Sequence, residues 1–169
     1  MGKVVGIVLV LGGIAGGLYQ WIVTQNEEQK RIEEFCFFLH KTIFGMKSEK
    51  LRMIEHFEKY HNRDPGWQLV FQEISKRLKE NIYPNGVMVW ESVLNETDWG
   101  LNDEIFEVML KCGNGFFGKT KEENISFLKK QLEELEKLQK REREKNAKER
   151  NVWVPVGMLS GLMFVILFL

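Results

Sequence analysis

A chain of 169 residues with 24 Lys+Arg against 24 Asp+Glu and 44% hydrophobic residues has, on average, an ordinary globular composition. The balanced charge supplies no cationic excess for a phosphate backbone, so no nucleic-acid partner is expected. The average conceals a segregation that excludes an evenly solvated globule: no charge lies between Val4 and Val23, and none between Val152 and Leu169.

After a short N-terminus (residues 1–3), the run "VVGIVLVLGGIAGGLYQWIV" (4–23) is long enough, at about 1.5 Å per residue, to cross a hydrocarbon core of ~30 Å as a helix. Lys3 ahead of it would also suit the n-region of a cleavable signal peptide. That alternative fits less well. The apolar run exceeds the usual h-region, its small-residue site "GGIAGG" falls mid-run, and Tyr19 and Trp21 stand near the far end, where interfacial aromatics anchor spans. Gly12/Gly16 and Gly13/Gly17 form two overlapping small-xxx-small registers, the spacing that lets helices approach closely in lipid.

Residues 24–138 read as an all-α cytosolic bundle of five or six helices, with strand signals almost absent. "NEEQKRIEEFCFFLHKTIFG" places Ile32, Phe35, Cys36, Leu39 and Ile43 at helical spacing and is predicted to continue the first span's helix. "SEKLRMIEHFEKYHN" is predicted to start at a Ser48 cap and repeats at Leu51, Ile54, Phe57 and Tyr60. In "DPGWQLVFQEISKRLKEN", Asp64 caps a helix with Pro65 at its first position. "NGVMVWESVLNET" and "NDEIFEVMLKCG" give two short helices, the second expected to end at Gly113.

"GNGFFG" (Gly113, Gly115, Gly118) matches a dinucleotide-binding pattern literally, but a helix precedes it and no βαβ unit surrounds it. The expected role is a glycine C-cap and interhelical turn, with Phe116 and Phe117 tucked against the bundle. The last helix opens with a capping box, Thr120–Glu123, and a narrow stripe follows at Ile125, Leu128, Leu132, Leu135 and Leu138. From 139 to 151 the only apolar residue is Ala147, so this piece reads as a charged, solvated helical stalk. Binding of anionic headgroups is the functional alternative, against which its glutamates count. The helix then runs unbroken into a second span, 152–169, with Trp153 at its charged end, Pro155 expected in the span's first turn, and Gly157/Gly161 as another small-xxx-small pair.

Orientation follows from flanking cations. Lys137, Lys140, Arg141, Arg143, Lys145, Lys148 and Arg150 precede the second span and Lys30 and Arg31 follow the first, against Lys3 alone outside. The positive-inside rule predicts a hairpin in the cell membrane, the middle cytoplasmic and both termini on the far side.

No catalytic set is legible, and no enzyme, cofactor or metal is expected. His56 and His61 are five apart, off metal-binding helical spacing; Cys36 and Cys112 fall on apolar faces and read as core thiols in a reducing compartment. Trp67, Trp90 and Trp99 read as core or groove anchors, and the exposed face of the helices holding Trp67 and Trp90, with those two residues, is the expected partner surface.

The pattern as a whole resembles the stage III sporulation protein AB family of endospore-forming bacteria. The likeness is carried by "VWESVL" around Trp90, the turn "GNGFFGKT", the charged helix "FLKKQLEELEKLQKREREKN" and the closing "GMLSGLMFVILFL", where Gly157 and Gly161 look like the family's terminal-span glycines. The resemblance implies a component of the channel-like apparatus between mother cell and forespore, in the mother-cell membrane around the forespore. It implies a head similar to the cytoplasmic domain of the type II secretion F platform protein. It also implies, as partners, other membrane subunits of the channel and an assembly ATPase, with membrane lipid around the spans. A membrane-anchored regulatory adaptor, whose head binds a soluble partner, is the alternative.

Overall fold

A computed structural model describes residues 2–48, 52–60, 64–118 and 120–168; side chains at 2–5, 7, 10, 11 and 168 lie outside the description. The described residues form six helices and no strand: α1 Gly2–Ser48, α2 Met53–Lys59, α3 Pro65–Glu80, α4 Gly86–Asn95, α5 Asp103–Phe116 and α6 Lys121–Phe168. The all-α expectation therefore holds. The chain divides into two compact units, one of residues 28–140 and one of residues 1–27 with 141–169.

Local chemistry sets most helix starts in the larger unit, hereafter the head. Asp64 accepts from the Gly66 and Trp67 amides at 2.7 and 3.2 Å, and Pro65 occupies the first turn, where its missing N–H costs nothing. Asn85 and Asn102 cap α4 and α5 in the same way. Thr120 Oγ1 accepts from the Glu123 amide at 3.4 Å, the first half of the predicted capping box.

Two expected boundaries move. Ser48 does not open a helix: it is the last residue of α1, its hydroxyl donating to the Phe44 carbonyl at 2.9 Å, and α2 begins at Met53. Burial of Ile43 and Met46 keeps the chain helical up to that serine. Leu51, expected on the apolar face, lies outside the described residues. Likewise α5 does not stop at Gly113 but continues to Phe116, with Gly113 and Gly115 buried inside it.

The head's core is aromatic. Phe35 and Phe38 on α1 meet Phe57 of α2, Trp67 and Phe71 of α3, Trp90 of α4 and Phe116 of α5, most ring centroids lying 4.4–6.2 Å apart. Such pairs add roughly 0.5–1.5 kcal/mol beyond simple burial. Leu128, Leu132 and Leu135 of α6 close the core from another side. Each buried indole keeps its N–H satisfied: Trp67 donates to the Arg31 carbonyl at 2.9 Å, Trp90 to Met109 at 3.0 Å and Trp99 to Leu94 at 3.1 Å.

In the terminal unit, α6 holds an 18-residue window of mean hydropathy 1.5, 6% buried, and is the one helix among the described residues found long and apolar enough to cross a membrane. Five side chains of the predicted first span (4, 5, 7, 10 and 11) lie outside the description, although its backbone is helical. Pro155, in the first turn of the predicted span, stands well inside α6, because the helix arrives unbroken from Lys121 as expected. Its ring nitrogen cannot donate to the Asn151 carbonyl, a loss of roughly 3 kcal/mol in a water-exposed helix.

Candidate interaction surface of the head

Trp67 and Trp90 are fully buried, which bears out the core-anchor reading and takes the two side chains themselves off the expected partner surface. The correction has a physical reason: both rings stack on Phe35, and both indole N–H groups end on backbone carbonyls, leaving neither ring nor donor for a partner. They are core anchors. Of the predicted packing glycines in the terminal unit, Gly157 lies against α1, where a Cβ would stand 3.0 Å from Leu18 Cδ1, and Gly161 is buried. A Cβ at Gly12, Gly13, Gly16 or Gly17 would meet nothing within 4 Å. Within this unit Arg150 also donates to Asn26 Oδ1 at 3.3 Å.

The "GNGFFG" segment is a packing device. A Cβ at Gly113 would come within 2.7 Å of Trp90 Cδ1, and one at Gly115 within 2.5 Å of Leu128 Cδ2, so only hydrogen at those two positions lets α5 seat against α4 and α6. Phe116 is buried and Phe117 half-buried, as expected, the latter ring lying over Gly86.

The titratable groups that depart from ordinary behaviour serve structure. Arg77 of α3 bonds Glu73 at 2.8 Å and grips Glu96 with both terminal nitrogens, at 2.8 and 2.6 Å. It also donates to Ser92 Oγ at 3.1 Å, and that hydroxyl passes its proton to Glu96 at 2.8 Å while accepting from Tyr83 at 2.8 Å. Hydrogen bonds from Arg77 first, then Ser92, hold the Glu96 carboxyl down at about 2. Burial, reinforced by Glu34, pushes the Tyr60 phenol up to about 12.

His56 is lowered by burial and then by Lys41; since Thr42 spends its proton on the Phe38 carbonyl, the imidazole Nε2–H donates to Thr42 Oγ1 at 2.9 Å. Cys36 and Cys112 are buried free thiols, the latter pushed up by burial and then by Cys36. His61 lies outside the described residues; among those described, no group of three His, Cys, Asp or Glu is placed to hold a metal.

What the head does present is a groove of about 620 Å³ between the C-terminal part of α1 and the first half of α6. Ile43, Phe44 and Leu132 give it an apolar floor, with Lys47 and Lys129 toward one end and His40 and Glu136, 3.1 Å apart, toward the other. Phe44 is 72% exposed and Phe37, one heptad earlier on the same helix face, 53%. The sequence carried a signal for this surface: two phenylalanines off the apolar stripe of α1, seven apart.

The family model for stage III sporulation protein AB matches residues 3–169. The chain belongs to that family. Membership implies a role in sporulation, and the match takes in both the head and the terminal unit. Comparison with curated proteins and with solved structures returns no match.

Proposed function

We propose that the chain is a non-catalytic, membrane-anchored scaffold of a sporulation channel or secretion-like complex between mother cell and forespore. The observation that carries this reading is the family match over residues 3–169. Two physical features support it. The single helix α6 supplies Leu128, Leu132 and Leu135 to the head's core and also contains the candidate span, so one element serves fold and anchor. The head's aromatic and perturbed titratable groups are spent on packing and helix ties, which suits a rigid docking body. Its partners are other membrane subunits and an assembly ATPase. The flanking cations support a two-span hairpin with the head in the cytoplasm, and the family resemblance supports the mother-cell membrane as its place.

The test is co-purification of the full chain, solubilised in mild detergent from sporulating cells. Recovery of other membrane subunits together with an ATPase is the expected result. A soluble regulator recovered alone would replace the scaffold with an adaptor, and recovery of nothing would remove it. For the hairpin, a reporter active only outside the cytoplasm is expected to work after Leu169 and to stay silent within the head; the reverse pattern overturns that topology.

A further inference from the structure

We propose that the groove between α1 and α6 receives an amphipathic helix of another protein, whose apolar ridge covers Phe44 above the already buried Ile43 and Leu132 and whose carboxylates reach Lys47 and Lys129. This deepens the scaffold reading and rests on it, by naming the surface and the chemistry of the partner.

The floor is the first reason. Phe44 at 72% and Phe37 at 53% exposure leave two large rings on one face of α1, in a head whose other phenylalanines are buried or half-buried. A ring left in water forgoes the free energy of burial, so paired exposed rings at and beside a groove fit a covered surface. A hollow of about 620 Å³ between two helices is filled by a convex ridge of side chains, the shape a third helix offers.

Charge selects the occupant. At the end toward Glu136, that carboxylate already meets His40 at 3.1 Å. Lys41 is occupied as well, its ammonium lying 4.9 Å from the Phe37 ring centroid and 5.4 Å from that of Tyr60. Lys47 and Lys129 are different: among the described residues neither has an ion-pair partner, and both are exposed on the groove's walls, where Glu133, one turn from Lys129, is the one further carboxylate of the lining. Two ammonium groups against one carboxylate, beside an apolar floor, leave a cationic excess that calls for an acidic, amphipathic ligand. A second copy of this chain answers the need less well. Groove against groove, as a two-fold contact requires, opposes two hollows and fills neither.

The test places a photo-crosslinking benzoylphenylalanine at position 44 of the full chain in sporulating cells. The same residue at Leu69 of α3, itself 67% exposed, is the comparator. The expected adduct at 44 is with a different protein, and sequencing maps it to a segment with apolar residues at helical spacing and at least two carboxylates. Reversing the charges, with Lys47→Glu and Lys129→Glu together, is expected to cut the adduct about tenfold, the scale of one charge-assisted contact. Changing the mapped carboxylates to lysine restores it.

An adduct with a second copy or with lipid overturns the proposal. So does a yield no higher than at position 69, or an adduct indifferent to charge reversal. If co-purification recovers membrane subunits while position 44 gives no such adduct, the groove assignment fails and the scaffold stands. If position 44 maps to an acidic helix of a soluble regulator alone, the groove stands and the scaffold fails.

Discussion

Between residues 28 and 140 most large apolar side chains point inward; in the unit formed by residues 1–27 and 141–169 they point outward. Phe35, Phe38, Trp67 and Trp90 are fully buried, whereas Val8, Leu9, Leu159, Met163 and Ile166 are 63–71% exposed. Both regions are helical and both are rich in apolar residues, so neither property separates them. The separation lies in what closes the apolar face. In the head it is closed by other rings from α1 to α5 and by the leucines of α6. In the terminal unit it is left open, the arrangement expected of helices whose solvent is hydrocarbon.

The sharpest way to break this comparison is to remove one buried ring and one exposed one. Trp90→Ala deletes a ring stacked on Phe35 and Phe57 and an indole donor to Met109; it is expected to destabilise the head by about 3–5 kcal/mol, a large share of a domain's stability. Trp153→Ala, at a residue 57% exposed in the terminal unit, is expected to leave the head's urea midpoint unchanged. Near-UV circular dichroism of the full chain in micelles checks both. Equal shifts in the two variants would show that the units do not hold their apolar residues differently.

Glycine gives the next contrast. Gly115→Ala puts a methyl 2.5 Å from Leu128 and is expected to cost about 1–3 kcal/mol in head stability. Gly16→Ala meets nothing within 4 Å and is expected to leave the same transition where it was. A neutral Gly115→Ala would mean that α5 and α6 are not in the close contact described.

The smallest effect concerns acid. Because Glu96 titrates at about 2 when folded against an ordinary value of 4.5, its bonds to Arg77 stabilise fully above pH 4.5, and the gain is lost as pH falls toward 2. Glu96→Gln is therefore expected to be less stable than the parent at neutral pH, with the gap closing across that window in urea titrations. The parent also weakens below pH 6.5, the ordinary value for His56, whose folded form resists the proton. Glu96→Gln leaves that earlier step in place. A gap that persists to pH 2 would mean the Arg77–Glu96 pair does not form in solution.

How much of this was legible beforehand depends on how local each cause is. Asp64 with Pro65, and Thr120 with Glu123, announce their helices because cap and capped amide lie within three residues. The all-α class and the apolar span of α6 rest on periodicity and run length, equally local. Ser48 misled because a serine has the same chemistry at either end of a helix, and burial of Met46 decided which. Trp67 and Trp90 misled for a longer-range reason. An amphipathic indole suits a core as well as an interface, and the deciding partners, Arg31 and Met109, are 36 and 19 residues away. The groove needed two helices whose contact, His40 to Glu136, spans 96 residues, so only its exposed phenylalanines were visible in the sequence.

The paired glycines of "GNGFFG" have a genetic consequence. Every amino acid reachable from a glycine codon by one base change (alanine, serine, cysteine, valine, aspartate, glutamate, arginine or tryptophan) is larger. At most positions drift can shrink a side chain as easily as enlarge it, and a neighbour can compensate. At Gly113 and Gly115 there is nothing smaller to move to, and the neighbours that would have to yield are the Trp90 and Leu128 side chains, both fully buried. Mutation at these two positions has one direction, toward bulk, so a saturation library of the head should be emptiest there.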